Sequence, residues 1–244
     1  MRLIFDLKPV PPAMGLAIDE ALFEVARSSG EEIVRLWVND RAVVIGRAQA
    51  IASEVDLPAA AAAGVPLLRR ISGGGAVYHY PGNLNVSVVL RSIECGPVKG
   101  CFQLLGGLIS EGLERLDVRV EAIGNLLLVG TRKVGGAAQA RRGGYTLYHT
   151  TLLVTPPGRP IEHLLLAGRP GYRTDGVSSV PRETTTLSEA VRRPIGIDEA
   201  ADAVESGLTR RFALERSGLL DREEALADTL LESKYGRSSW NASR

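Results

Sequence analysis

Residues 67–90 read LLRRISGGGAVYHYPGNLNVSVVL: an apolar start, two Arg, three successive Gly, a short aromatic-flanked His, a Pro-Gly turn and an alternating run. LLRRI, AVYHY and LNVSVVL all have strand composition, so the glycines connect strands rather than open a helix. No Gly-Lys-Ser/Thr follows them and no G-x-G-x-x-G spacing is present, which excludes a Walker A loop and a dinucleotide-binding turn. Three adjacent Gly cost more backbone entropy than a hairpin requires. Without Cβ atoms the N–H groups of Gly73, Gly74 and Gly75 can face an oxyanion, and Arg69 or Arg70 can add a planar fork suited to carboxylate or phosphate. A plain glycine-rich hairpin is the competing reading of the same residues.

Working outward, residues 2–8 alternate as a strand, PVPP (9–12) breaks it, and MGLAIDEALFEVARSSG (14–30) has helical spacing stopped by Gly30. IVRLWV and AVVIG flank NDR (39–41) as an expected hairpin. A short helix follows, capped by Asp56 and ended by Gly64. Downstream of the glycines, CFQLLGGLISEGLERL (101–116) is helical, and VRVEA, NLLLVGTRKVGGAAQA and GYTLYHTTLLV are strands joined by GT and RRGG turns. The remainder turns helical, with Asp198 heading one helix and Asp221 with Glu224 forming a D-x-x-E cap on another. Strands dominate the first two thirds and helices the last, which predicts an α+β domain with helices packed on a mixed or largely antiparallel sheet. Length and pattern predict a single domain over residues 1–244.

With 45% hydrophobic and 23% charged residues the chain is expected to bury one full core, and 29 basic against 28 acidic residues create no global field for nucleic acid or anionic membrane. No signal-like start or apolar run of about 18 residues occurs, so a cytoplasmic location is expected. Cys95 and Cys101 lack metal or redox spacing and read as buried or semi-exposed thiols.

Among the 29 basic residues only Lys8, Lys99, Lys133 and Lys234 are Lys. Lys133 precedes the small residues Gly135, Gly136, Ala137 and Ala138, which leave room for a ligand that a compact ammonium can reach; a solvated hairpin Lys is the alternative. His79 and His149 stand in strands, and no neighbouring Asp or Ser spacing makes a triad around either.

MGLAIDEALF, RLWVNDRAVVIGRAQ, LLRRISGGGAVYHYPGNLN, RKVGGAAQ with YHTTLLV, and EALADTLLESKYGRSSWN together resemble the lipoate–protein ligases, in particular the short archaeal kind without a C-terminal accessory domain. The resemblance runs nearly end to end, and Arg-Arg-x-Ser-Gly-Gly-Gly-Ala-Val-x-His is its most specific part. It implies the fold shared with biotin protein ligases and class II aminoacyl-tRNA synthetases. It also implies activation of lipoate with ATP to lipoyl-AMP, then acylation of a Lys on a carrier domain, an E2 subunit or the glycine cleavage H protein. Carried over by position, Lys133 would bind the carboxylate and then the acyl phosphate. Arg70, Ser72, Gly73, Gly74, Gly75, Ala76, Val77, His79 and Asn83 would line the acyl-adenylate pocket. Gly135, Gly136, Ala137 and His149 would complete its wall, Asn125 would face the nucleotide, and Leu16 and Trp37 would shape an apolar slot. A separately encoded accessory domain is a further implied partner.

Three segments depart from the family pattern. His-Asp-x-Gly-Asn becomes His79-Tyr80-Pro81-Gly82-Asn83, Asn-Asp becomes Asn125-Leu126, and His-Gly-Thr becomes His149-Thr150-Thr151. A Leu cannot hold Mg²⁺, so residue 126 bears directly on metal and ATP use. The competing activities are an octanoyltransferase acting through a Cys nucleophile, for which residues 117–124 supply no Cys, and a non-catalytic lipoyl-binding subunit or regulator. A biotin ligase would need the Gly-Arg-Gly-Arg loop, which is missing.

Overall fold

A computed structural model of the chain describes residues 1–158 and 163–243. β1 (Arg2–Val10) leads through Pro11 into α1 (Pro12–Ser29), which ends on left-handed Gly30. β2 (Ile33–Asn39) and β3 (Ala42–Ile45) follow, then the short helices α2 (Ile51–Glu54) and α3 (Leu57–Ala62), the latter capped by Asp56 accepting the Ala59 N–H at 3.0 Å. β4 (Leu67–Arg69), β5 (Val77–His79) and β6 (Asn83–Arg91) carry the opening segment. After α4 (Ser92–Cys95) and α5 (Val98–Leu113) come β7 (Glu121–Ile123), β8 (Leu126–Val129), β9 (Arg132–Arg142) and β10 (Tyr145–Leu153). The last third holds α6 (Leu187–Val191), α7 (Ile197–Leu208), β11 (Glu215–Ser217), α8 (Asp221–Leu230) and α9 (Ser238–Asn241).

Eight strands form one mixed sheet in the order β11-β1-β2-β6-β10-β9-β8-β7, and β4-β3-β5 form a second. The α+β reading with helices on a mixed sheet therefore holds. The expected β2–β3 hairpin does not form. β2 is fully buried and bonded on both edges, parallel to β1 and antiparallel to β6, so the chain crosses at Asp40–Arg41 into the second sheet. β11, three polar residues running parallel to β1, carries no apolar alternation and was invisible to pattern.

Two helix caps also differ from expectation. α7 starts after Gly196, leaving Asp198 and Glu199 in its first turn, where the helix dipole favours them. On α8 it is Glu223, not Glu224, whose carboxylate accepts the Leu220 N–H at 2.9 Å; Glu223 also meets Arg2 at 2.5 Å, and this buried pairing fixes which acid faces inward.

The alternation of β6 divides the molecule. Leu84, Val86, Val88 and Leu90 point to the core formed with α5 and α7, while Asn83, Asn85 and Ser87 point to the opposite face. There α1, α8 and the small sheet build a second core around Ile33, Trp37, Val89 and Leu147. Against the first face α5 and α7 touch backbone to backbone: a Cβ on Gly112 would sit 2.1 Å from the Ala203 carbonyl oxygen, and one on Gly207 2.0 Å from that of Leu108.

Candidate functional site

The sheet register sets out the site before any side chain is considered. Arg35 pairs with Ser87, Ser87 with His149, and His149 with Ala138, making one row across β2, β6, β10 and β9. The next row runs Trp37, Asn85, Thr151, Gly136 and Leu126, reaching β8. The small residues at 136 and 138 leave space over these rows, and a cavity of about 360 Å³ occupies it.

Lys133 joins that face through an irregularity. Leu127 pairs with Gly135 but Leu128 pairs with Lys133, so Val134 is an extra residue, a β-bulge. Regular alternation would set Lys133 opposite Gly136; the bulge brings both to one face and sends Val134 into the α5 core. The Lys133 stem then folds back over its own strand, and a Cβ on Gly136 would lie 2.9 Å from its Nζ. Burial, with Arg70 and Arg182 nearby, lowers the Lys133 pKa. Among the described residues no acceptor pairs with this ammonium.

The triple-glycine turn lies across the cavity from β9 and is held by the two Arg that precede it. Arg70 donates to the carbonyls of Gly73 (2.5 Å), Gly75 (2.8 Å) and Val44 (3.1 Å) and to Ser72 Oγ (3.0 Å). Burial pushes its pKa down to about 10. Arg69 donates to the carbonyls of Gly46, Arg47 and Gln49, and Trp240 Nε1 donates to the Arg69 carbonyl, so the C-terminal helix braces the same turn. Gly74 requires its glycine for φ +85°, and Gly75 for contact with Ser179, 3.1 Å from the position of a Cβ to the Ser179 Cα. Gly73 has open space around that position.

Of the residues expected from sequence, Lys133, Arg70, Gly74, Gly75, Ala76, Val77 and His79 line the cavity, as do Leu16, Trp37, Asn125, Gly136, Ala137 and His149. Asn83 and Gly135 line a second cavity of about 670 Å³ that shares Ala76, Val77 and Lys133 with the first. Ser72 and Gly73 line neither. Asn85, Thr150, Thr151 and the segment Val177–Arg182 were missed. Asn85 stood in the alternating face of β6 and was legible; both its amide atoms are buried and unpaired in the cavity wall. The segment after Val177 carries no periodicity, and it reaches the site because Lys133 N donates to the Glu183 carbonyl and Thr185 N to that of Lys133.

Although no spacing in the sequence makes a triad, the fold brings Ser72 Oγ within 2.5 Å of His149 Nε2 and His149 Nδ1 within 3.7 Å of Asp19 Oδ2. Burial raises the Asp19 pKa, but His149, Arg35 and Ser87 outweigh it and hold the carboxyl below its usual range. Ser72 is buried, already accepts from Arg70 and does not face the cavity, so the chain of three orients His149 rather than exposing a nucleophile.

His79 Nδ1 accepts from the Asn39 amide at 3.2 Å, and burial followed by the charge of Arg70 pushes its pKa down to about 3. The folded His79 is thus neutral, whereas the unfolded one takes a proton near pH 6.5. Its contribution to stability is complete above that pH and drains away as pH falls toward about 3. Urea unfolding between pH 7 and 4 is expected to show a loss of up to about 1.4 kcal/mol per pH unit that His79→Gln lacks. Identical slopes in the two proteins would remove this account.

Among the described residues the cavity wall contains no Asp or Glu, and the adjoining one has Glu183. Cys95 and Cys101 are buried in the α5 core away from both, and burial pushes the Cys101 thiol up to about 12. No described helix is long and apolar enough to cross a membrane.

Residues 11–209 match the family model of the lipoyl protein ligase A/B catalytic domain. Lipoate-protein ligase A subunit 1 of Thermoplasma acidophilum is 30% identical over 253 residues, covering 98% of this chain and 95% of that protein. An octanoyltransferase LipM of Symbiobacterium thermophilum is 32% identical over 281 residues, covering 98% and 97%. A solved bi-partite lipoate protein ligase, described with its E2 lipoyl domain from Thermoplasma acidophilum, superposes with a TM-score of 0.85 at 27% identity, covering 99% of this chain and 95% of that one. A lipoate-protein ligase A bound with ATP gives 0.85 at 28% identity, covering 99% of each chain.

Proposed function

The chain belongs to the lipoyl protein ligase A/B catalytic domain family, and we propose from its site that it is a lipoate–protein ligase whose Lys133 carries the charge of the reacting phosphate. The observation behind this reading is the half-buried ammonium of Lys133, without an acceptor among the described residues, over a wall of small residues. A half-buried cation without a partner is costly, and an anion entering the cavity relieves that cost.

In the first half-reaction the lipoate carboxylate attacks the α-phosphorus of ATP, the bond to pyrophosphate breaks, and lipoyl-AMP forms. Leu16, Trp37 and Val77 give the acyl chain an apolar wall, leaving its carboxylate toward Lys133. The half-buried Lys133 ammonium and the exposed guanidinium of Arg182, which lines both cavities, face the phosphate charge. In the second half-reaction a neutral lysine amine of the carrier attacks the acyl carbonyl and AMP leaves.

Among the described residues Mg²⁺ finds no carboxylate in the wall of the Lys133 cavity, where Leu126 stands, and no cluster of three His, Cys, Asp or Glu that could hold a metal. The donor set does not fit a protein-held ion, and Mg²⁺ is proposed to enter only as the nucleotide's counter-ion. E2 lipoyl domains and the glycine cleavage H protein are the proposed acceptors, with a separately encoded accessory domain as partner. The bi-partite organisation of the Thermoplasma ligase supports that partner.

Lipoate-dependent ATP–pyrophosphate exchange tests the proposal. Exchange above the ATP-only background is expected, with lipoyl-AMP recovered by mass spectrometry. Lipoate binding without exchange, with the accessory domain supplied, would replace the ligase with a non-catalytic lipoyl-binding subunit. The octanoyltransferase route through a thioester is disfavoured by the position of both thiols in the core, and a Cys95→Ala/Cys101→Ala double variant is expected to keep acyl transfer to the carrier. Loss of transfer in a folded double variant would favour that route.

A further inference from the structure

Glu54, at the end of α2, is fully buried, and among the described residues no cation pairs with it. Its two carboxylate oxygens are taken by hydroxyls: Tyr172 Oη donates at 2.6 Å and Ser179 Oγ at 2.6 Å. Having given its proton to Glu54, Ser179 Oγ keeps its lone pairs for two N–H donors, Ala76 N at 2.8 Å and Gln49 Nε2 at 3.1 Å. Tyr172 Oη likewise accepts the Ser179 N–H at 3.0 Å, and Gln49 Nε2 reaches the Val177 carbonyl at 3.0 Å. Every proton in this cluster has one direction, and only an acceptor-only group at position 54 allows it.

The cluster joins three pieces of chain that the sequence keeps far apart: α2, the end of the triple-glycine turn, and the segment Val177–Arg182 over the cavity. Two glycines make room for it. A Cβ on Gly75 would meet Ser179, and one on Gly176 would lie 2.5 Å from the Ala48 carbonyl oxygen. A carboxylate buried without a cation is expensive, and nothing in the helix or sheet cores uses this one.

We propose that Glu54 is a positioning residue for the ligase reaction: through Ser179 and Tyr172 it holds Val177–Arg182 over the cavity, setting Arg182 beside Lys133 and fixing the Ala76 end of the turn. The inference rests on the ligase reading and adds to it a group that touches neither acyl chain nor nucleotide. Arg182 shares both cavities with Lys133, and the Arg182 charge contributes to lowering the Lys133 pKa, so a shift of this segment alters the charge that meets the phosphate.

Glu54→Gln introduces two N–H donors where the cluster offers only groups that already donate or whose acceptor sites are filled. Adenylation, read as lipoate-dependent pyrophosphate exchange, is expected to fall about ten- to hundredfold in kcat, with the equilibrium affinity for lipoate alone within about twofold. Hydrogen exchange of the amides at 172–182 should accelerate while those of α1 and β6 hold. Tyr172→Phe, which keeps the carboxylate and loses one donor, should show a smaller version of both effects, and it remains informative if the Gln variant fails to fold. Unchanged loop exchange in either folded variant, or loosened exchange with unchanged kcat, would overturn the role of Glu54. Absence of pyrophosphate exchange in the wild-type chain even with its accessory domain supplied would instead overturn the ligase reading.

Discussion

Lys133→Met is expected to lower lipoate-dependent pyrophosphate exchange by about 10²–10³-fold, the cost of removing one preorganised charge from a developing oxyanion. The effect should fall on kcat for both half-reactions, because in the proposed reaction the ammonium faces the phosphate in each. Stability should move the other way. The wild-type ammonium is partly desolvated and has no acceptor among the described residues, so a Met of similar length relieves a penalty and the melting temperature should hold or rise. Lys133→Arg should not restore activity: the stem already lies within 2.8 Å of where a Cβ on Gly136 would be, and a planar guanidinium is broader than the space that glycine leaves. Exchange kinetics with thermal melts of all three proteins would check this, and a Met variant within about tenfold of wild type would remove Lys133 from the chemistry.

The largest stability effect is expected far from the cavity. Gly112→Val forces a branched side chain into the place where α5 crosses α7, with the Ala203 carbonyl 2.1 Å and the Gly207 Cα 3.0 Å from the new Cβ. Both obstacles are backbone and cannot rotate away. The helices must separate, opening a core that contains Leu105, Ile109, Val204 and Leu208. A cost of about 3 kcal/mol, at the upper end for overpacking, lowers Tm by about 6–12 °C in a chain of this length. Gly107→Ala, on the same helix with open space around its Cβ, should stabilise slightly through helix propensity. A Gly112→Val protein melting with wild type would mean the crossing is looser than described.

Much of the architecture was legible because local signals and tertiary demands agree. Gly30, Asp56 and Gly64 punctuate helices where their chemistry predicts, and β6 announces both of its faces by alternation. Errors came where pairing is decided elsewhere: NDR looked like a hairpin turn, but β2 had two better partners in β1 and β6. The same divide runs through the site. Residues on β5, β6, β9 and β10 could be placed from their strands, whereas Ser179 and Arg182 lie in a segment ordered by long-range bonds, among them those to Glu54, Gln49 and Lys133. Asp19, Ser72 and His149 show the complementary blindness, since 130 positions of chain separate residues that the sheet sets side by side.

The bulge at Val134 makes the placement of the Lys133 amine a matter of phase. One surplus residue decides whether position 133 looks toward the cavity or toward the helices behind it, a difference of count rather than of amino-acid type. Shortening the strand by that residue would leave the amine in the sequence and turn it away from the cavity.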